Sequence, residues 1–249
     1  MPTSTSPACP GFRVTGLGLK FGAETIFENL NFEVAGGQFV ALLGPSGVGK
    51  TSLLKILAGL EQPFAGHCEA SDGKPLAGRI AYMGQTDLLY PWLRVIDNVM
   101  LGSKLRGEPK DTARAMHLLE RVGLAGRARA LPSELSGGMR QRAAMARTLY
   151  ERRPIVLMDE PFSALDAITR ARLQELAAEL LCGCTALLIT HDPLEACRLG
   201  HYLIVLSGHP ARLGTPIEVP GHPPRAPDDA QLLQTQGRLL RLLTEMQPE

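Results

Sequence analysis

The chain has 249 residues, which is enough for one large domain with a hydrophobic core. Its composition, with 45% hydrophobic and 20% charged residues, is ordinary for a globular protein. A net charge of +1 provides no strong attraction to nucleic acid or to an anionic membrane surface. No apolar run reaches the roughly 20 residues that a membrane-spanning helix needs.

The N-terminus, residues 1–10, is rich in Thr, Ser and Pro and lacks the basic-then-apolar order of a signal peptide. We predict a disordered tail on a cytoplasmic protein. The five cysteines are an odd number without framework spacing, which suits a reducing compartment. Cys182 and Cys184 could contribute to a metal site, but closed sites usually need four ligands and no partner pair is evident.

Several short apolar runs end in polar or glycine-rich turns. Continuous apolar character suits strands that are covered on both faces, as in a parallel sheet. Residues 12–34 alternate more and predict an antiparallel flank added to that sheet. Helical patterns between the runs indicate an α/β fold. The four runs are residues 39–43, 80–83, 155–158 and 186–189.

The stretch 86–153 is dominated by helix formers and predicts a helical subdomain inserted between two strands of a domain that covers residues 11–219. Its many arginines favour a solvated face with dispersed counter-charges over an RNA-binding patch. Residues 220–249 are predicted as a Pro-rich linker and a final helix. Asp228 and Asp229 can cap that helix, and its leucines favour docking on the body over binding a partner.

A glycine-rich loop follows the first apolar run and precedes a helical pattern. It fits G-x-x-x-x-G-K-[ST] at every fixed position, and its glycines allow backbone N–H groups to form an anion cradle at a helix N-terminus. We expect Lys50 to reach the β- and γ-phosphates of a nucleotide and Thr51 to bind Mg²⁺. The predicted phosphate-binding residues are Gly44, Pro45, Ser46, Gly47, Val48, Gly49, Lys50, Thr51 and Ser52.

The third apolar run ends in two acids, Asp159 and Glu160. A buried strand would deliver both carboxylates to the carboxyl edge of the sheet, where open α/β sheets bind ligands. Asp159 is predicted to hold Mg²⁺, directly or through water. Glu160 is placed to orient and deprotonate the attacking water. The alternative is that both acids are surface residues at a strand end.

The octet Leu-Ser-Gly-Gly-Met-Arg-Gln-Arg at residues 135–142 resembles the signature of ABC ATPases, L-S-G-G-x-x-Q-R. The resemblance covers about residues 13–215. It implies a P-loop NTPase core of mostly parallel strands, with an antiparallel β flank and an inserted helical subdomain. It also implies ATP and Mg²⁺ as cofactors.

The resemblance assigns further roles to matching positions. Gln85 corresponds to the glutamine that links the γ-phosphate region, and Mg²⁺, to the helical subdomain. Residues 163–166, ending in Asp166, resemble the D-loop that lies against a partner subunit. His191 resembles the switch histidine that touches the γ-phosphate. Phe21 matches the aromatic residue that stacks on adenine, with a core Phe as the alternative.

In this family two subunits face each other head to tail. The resemblance implies that Ser136, Gly137 and Gly138 of one copy close the phosphate site of the other, so that a lone chain has half a cradle. The implied partners are a second copy and transmembrane permease subunits, with a solute-binding protein acting indirectly. Nucleic acid is not an expected partner. The expected location is the inner face of the cell membrane.

The segment 88–99, with Trp92 at its centre, is similar to importer ATPases of the nitrate, sulfonate, taurine and pyrimidine-precursor group. Its apolar side chains would receive a coupling helix of the membrane subunit, or else Trp92 packs inside the helical subdomain. Residues 192–196, after His191, favour the thiamine-precursor pyrimidine or sulfonate branches. The alternatives are a soluble ABC ATPase in a non-transport process and an inactive interaction module.

Overall fold

The computed structural model describes residues 9–245, so residues 1–8 of the tail predicted for residues 1–10 lie outside the described residues. The described residues contain ten strands: β1 (Phe12–Phe21), β2 (Glu24–Val34), β3 (Phe39–Leu43), β4 (Ala65–Ala70), β5 (Ile80–Met83), β6 (Ile155–Asp159), β7 (Thr185–Ile189), β8 (Tyr202–Ser207), β9 (Arg212–Leu213) and β10 (Ile217–Glu218). Eight α-helices accompany them: α1 (Lys50–Leu57), α2 (Val95–Val99), α3 (Leu101–Arg106), α4 (Thr112–Arg121), α5 (Gly137–Tyr150), α6 (Ala167–Leu180), α7 (Pro193–Leu199) and α8 (Ala230–Glu245).

The main sheet has the order β10-β8-β3-β7-β6-β5, with β9 paired to β8. Strands β8, β3, β7, β6 and β5 run parallel to one another. Every residue of β3, β6 and β7 is buried, which is the pattern expected of strands covered on both faces. The carboxyl ends of these strands therefore meet along one edge, where the phosphate loop and Asp159 lie.

The antiparallel flank is present, but it is not part of the main sheet. Strands β2, β1 and β4 form a separate three-stranded sheet, and an isolated bridge pairs Phe27 with Ala211. The prediction of a flank added to the main sheet was therefore wrong in its pairing. The inward side chains of β1 and β2 instead pack in one hydrophobic cluster with α1 and the main sheet.

Helices α2 to α5 fill the predicted insertion between β5 and β6, which are paired neighbours in the sheet. A cluster of buried side chains joins these helices to the main sheet and to α6. The insertion is thus attached to the rest of the domain by buried hydrophobic contacts.

The C-terminal helix α8 begins after Asp229, whose carboxylate accepts the backbone N–H of Leu232 at 2.9 Å. Leu232 and Leu239 are buried in a cluster with α7 and strands β3 and β8, and Leu243 packs against it. This agrees with the expectation that α8 docks on the body.

Candidate functional site: a phosphate cradle beside two acids

The loop between β3 and α1 needs glycine at its turns. Gly49 has φ +103°, and a Cβ there would lie 2.6 Å from Cγ2 of Ile26. Gly44 approaches the backbone of β8 so closely that a Cβ there would overlap the carbonyl oxygen of Leu206. The two glycines allow the chain to turn tightly over the end of the sheet before α1 begins.

Lys50 is half-buried at the start of α1. Its ammonium group donates to the carbonyl oxygens of Gly44 at 2.8 Å and Pro45 at 2.7 Å, which holds the cation inside the curve of the loop. Burial lowers the pKa of Lys50, while the nearby carboxylates of Glu160 and Asp159 act in the opposite direction. A phosphate group is the kind of anion that this cation can bind.

Asp159 ends β6 with only 1% of its surface exposed. Burial raises the pKa of its carboxyl, and hydrogen bonding with the Thr51 hydroxyl lowers it. Within residues 9–245 its Oδ2 atom has no hydrogen-bond partner. A buried carboxylate oxygen without a donor, beside a hydroxyl, suits a hard cation that prefers oxygen ligands. Asp159 and Thr51 therefore fit Mg²⁺.

Glu160 follows with a left-handed backbone, φ +48°. Such a conformation costs a side-chain-bearing residue about 1–3 kcal/mol, and surrounding contacts must hold it. Its N–H donates to the Ile189 carbonyl at 2.9 Å. Its own carbonyl accepts from Nε2 of Gln141 and from the Ser163 hydroxyl, each at 3.0 Å. These contacts turn the Glu160 side chain towards the loop after β7.

His191 lies in that loop. Its Nδ1 is 3.3 Å from Oε1 of Glu160, and its side chain is 66% exposed. The carboxylate and the imidazole are thus adjacent, with the imidazole open to an incoming ligand.

These elements surround an open cavity of about 320 Å³ at the carboxyl edge of the sheet. The lining residues are Ser46, Gly47, Gly49, Lys50, Thr51, Ser52, Gln85, Asp159, Glu160 and Ile189. His191 lines a smaller adjoining cavity that shares Glu160. A cation and a hydroxyl from the start of α1 therefore converge with two carboxylates from the end of β6, as the sequence motifs predict.

Three residues of the phosphate-binding prediction lie outside this lining. Gly44 and Pro45 contribute the carbonyls that hold Lys50. The Val48 side chain is buried in the hydrophobic cluster under the loop, so only its backbone is available to a phosphate.

Other predicted residues lie away from the cavity. Ser136 and Gly137 are exposed at the start of α5, where the Ser136 hydroxyl caps the helix by accepting the N–H of Met139 at 3.3 Å. Gly138 is next in that helix and is partly exposed. Asp166 is exposed and caps α6 by accepting the N–H of Thr169 at 3.0 Å. In one chain the signature segment does not complete the phosphate site.

Phe21 is 52% exposed, so core packing does not account for it. Trp92 is 71% exposed and meets Tyr90 edge to face, with ring centroids 5.3 Å apart. The alternative that Trp92 packs inside the helical subdomain is therefore wrong. Both aromatic rings are open to other molecules.

Gln141 contacts the backbone of the site and was not selected by the sequence analysis. Its amide joins α5 to the segment after β6, because Nε2 donates to the Glu160 carbonyl and Oε1 accepts the Ala164 N–H at 3.0 Å. The signal was available, since Gln141 is the fixed glutamine of the octet at residues 135–142.

Across residues 9–245, no three His, Cys, Asp or Glu side chains are grouped so as to hold a metal ion, so Cys182 and Cys184 are not part of such a cluster there. In the same residues, no helix has both the length and the apolar character required to cross a bilayer.

Comparison with known proteins gives a consistent result. The family model described as ABC transporter matches residues 27–163. An uncharacterized ABC transporter ATP-binding protein of Haemophilus influenzae is 44% identical over 239 residues, which are 93% of this chain and 98% of that protein. An aliphatic sulfonates import ATP-binding protein of Rhodococcus jostii is 43% identical over 232 residues, or 92% of each chain.

A solved dimeric ATP-binding cassette in a post-hydrolysis state, bound to ADP and Pi, is 29% identical with a TM-score of 0.75. The match covers 84% of this chain and 99% of that one. Sequence, fold and site geometry agree, and the chain belongs to the ABC transporter family as one of its ATPases.

Proposed function

We propose that this chain is the ATP-hydrolysing subunit of an importer for aliphatic sulfonates, and that it works as a head-to-tail pair bound to separate membrane subunits. The observation that carries the proposal is the cavity in which Lys50, Asp159 and Glu160 converge. Phosphoryl transfer depends on positioning and charge stabilisation, and this cavity supplies both.

The residues of the site have roles in nucleotide binding or hydrolysis that follow from their positions. Backbone N–H groups of the loop and the Lys50 ammonium bind the phosphates, and Phe21 stacks on the adenine. Thr51, Asp159 and Gln85 hold Mg²⁺, which when bound neutralises charge on the phosphates. Glu160 accepts a proton from the attacking water, and His191 contacts the γ-phosphate beside it.

The second copy supplies the part of the phosphate site that a single chain lacks. Ser136, Gly137 and Gly138 begin the 14-residue helix α5, and their N–H groups and the positive end of the helix form an anion site that faces outward. Exposed Asp166 belongs to the same contact surface. The dimeric ATP-binding cassette of similar fold supports this arrangement.

The membrane contact is proposed for the segment around Trp92. Leu88, Tyr90 and Trp92 of this segment are all large, hydrophobic and exposed. An exposed apolar patch on a folded domain marks an interaction surface. A short helix of a permease subunit would cover it, which holds the chain at the inner face of the membrane. The solute-binding protein acts on the permease rather than on this chain.

The solute is proposed from two observations that point the same way. The segment 88–99 is similar to importer ATPases of the nitrate, sulfonate, taurine and pyrimidine-precursor group. The relative from Rhodococcus jostii is described as an aliphatic sulfonates import protein and is 43% identical. Among the solutes of that group we therefore favour aliphatic sulfonates.

Reconstitution with the membrane subunits tests this proposal. We expect ATP turnover to rise at least about tenfold when membrane subunits and a sulfonate-loaded binding protein are present, because closure of the pair completes both sites. Nitrate and a pyrimidine precursor, in place of the sulfonate, are the comparison solutes. Trp92→Ala should lower the stimulation and leave ATP binding unchanged.

Three outcomes would contradict the proposal in different ways. Stimulation by nitrate or the pyrimidine alone would reject the solute. Turnover that is indifferent to membrane subunits would favour a soluble ABC ATPase. No turnover under any condition would favour an interaction module.

A further inference from the structure

A buried polar cluster lies directly behind the loop that carries His191. It consists of Glu195 and Arg198 on α7, Gln174 on α6, and Thr190 at the end of β7. Glu195 is only 4% exposed, and Gln174, Arg198 and Thr190 are also buried. The proposed hydrolysis does not use these side chains.

The hydrogen bonds of Gln174 fix its orientation. Its Oε1 accepts from Nη1 of Arg198 at 2.6 Å, and its Nε2 donates to Oε2 of Glu195 at 3.1 Å. Because Arg198 can only donate, the Gln174 amide cannot turn over without losing both contacts. Glu195 is therefore held as an acceptor from the α6 side.

The second neighbour of Glu195 is Thr190, which lines a small cavity with it and whose hydroxyl lowers the pKa of the carboxyl group. The same hydroxyl accepts the N–H of Asp192 at 3.0 Å. Because that contact uses the oxygen as an acceptor, the single proton of the hydroxyl is left for donation to the carboxylate of Glu195. His191 lies between Thr190 and Asp192 in the chain, and its backbone is enclosed by this turn.

Glu195 lies close to the reacting groups without reaching the phosphate cavity. It lines the small cavity, about 30 Å³, that Glu160 and His191 also line. It does not line the cavity that contains Lys50 and Asp159. Its position is thus suited to orienting His191 and not to touching the nucleotide.

The charges around Glu195 come from both packed helices and the loop. Burial raises its pKa to about 7; nearby Asp192 also raises it, while the Thr190 hydroxyl, the Gln174 amide and Arg170 lower it. Arg170 is itself 3.5 Å from Asp192. Arg198 is linked to Glu195 through Gln174, which is hydrogen-bonded to both side chains. The carboxyl group is accordingly mostly neutral below pH 7 and mostly ionised above it.

We propose that Glu195 is a positioning residue for His191: its carboxylate holds the Thr190 hydroxyl and so fixes the loop that presents the imidazole to Glu160. The inference rests on the proposed role of His191 at the γ-phosphate. The ionised carboxylate is the stronger acceptor for the hydroxyl, so the loop is better held above pH 7 than below it.

The test compares Glu195→Gln with Glu120→Gln in the full chain. The first keeps the size of the side chain but cannot ionise and has one acceptor oxygen instead of two, and the second makes the same change at an exposed position of α4. We expect Glu195→Gln to lower kcat about tenfold and to leave KM for ATP within about twofold, as for lost orientation. The parent kcat should rise with pH through about 7, and this rise should be absent in Glu195→Gln.

The nuclear magnetic resonance signal of the His191 ring provides a second measurement, which would not change if Glu195 served only to stabilise the fold. The His191 ring signal, assigned by its loss in His191→Gln, should shift in Glu195→Gln and stay in place in Glu120→Gln. If Glu195→Gln does not fold, Thr190→Val breaks the same link from its other end and should shift the signal likewise.

An unshifted His191 signal in a folded variant overturns the proposal, and so does a shifted signal with unchanged kcat and pH profile. Failure of the proposed function can be distinguished from failure of the present inference. Turnover by His191→Gln equal to that of the parent rejects the role of His191 itself, whereas an inactive His191→Gln with an unaffected Glu195→Gln rejects only the present inference.

Discussion

At the scale of single residues, the backbone of Glu160 explains how the proposed base is aimed. A left-handed conformation at a residue with a side chain is held by three hydrogen bonds to β7, α5 and the segment after β6. The free-energy cost of about 1–3 kcal/mol is offset by these contacts. The side chain is thereby delivered within 3.3 Å of His191, although the two residues are far apart in the chain.

The first residue-scale prediction concerns the proton acceptor. Glu160→Gln keeps the size of the side chain but removes its basicity, so kcat for ATP should fall about a hundredfold or more. ATP affinity should stay within about threefold, because Lys50 and the loop are unchanged. Steady-state turnover and equilibrium nucleotide binding measure the two effects. Exposed Glu218, changed to Gln, is the control, and near-parental turnover by Glu160→Gln would reject the assignment.

At the scale of elements, the segment between β10 and α8 is more firmly attached than its Pro-rich composition indicates. Arg225 is buried, and its guanidinium donates to the carbonyls of Cys197 and Gly200 at 2.9 Å and of Val219 and Gly221 at 2.6 and 2.8 Å. One side chain thus joins the end of α7 to the segment that leads into α8.

Replacing Arg225 tests that attachment. Arg225→Ala leaves several buried carbonyls without donors, so the free energy of unfolding should fall by about 3 kcal/mol. Arg225→Lys should recover only part of this loss, because an ammonium group has fewer donors and a different geometry. Urea denaturation measures the change, with exposed Arg212→Ala as the control. Equal stability of Arg225→Ala and the parent would show that the segment is held by its apolar contacts.

At the scale of the whole molecule, the separation of the signature from the phosphate cavity has a direct consequence. In the proposed head-to-tail pair, each site would combine the loop of one copy with the α5 N-terminus of the other. Two variants that inactivate opposite halves should therefore complement each other.

Mixing Lys50→Ala with Ser136→Asp tests this geometry. Asp caps a helix as well as Ser does, so α5 should still form, but its charge repels the γ-phosphate. Each variant alone should be inactive. A mixed pair has one site with both defects and one with none, so equal mixing should restore up to about a quarter of the parental turnover. Turnover of the mixture equal to the average of the separate variants would contradict the shared-site arrangement.

The sequence by itself determined the parts of this protein that depend on local patterns. Four continuous apolar runs became β3, β5, β6 and β7, and the spacing of Gly44, Gly49 and Lys50 predicted a phosphate site in the loop between β3 and α1. Strand β8 was not predicted, although residues 203–206 are just as apolar as the four runs. The sequence therefore contained the signal for this strand, and the interpretation overlooked it. The amphipathic leucines of α8 were sufficient to predict that it docks.

Only the tertiary structure decided the rest, because it depends on contacts between distant segments. β4 has no apolar run and exists because its backbone pairs with β1. The approach of His191 to Glu160 and the burial of Glu195 and Arg225 likewise arise where separate elements pack together. A local pattern can name a carboxylate, but its backbone angle, neighbours and pKa are set by the fold around it.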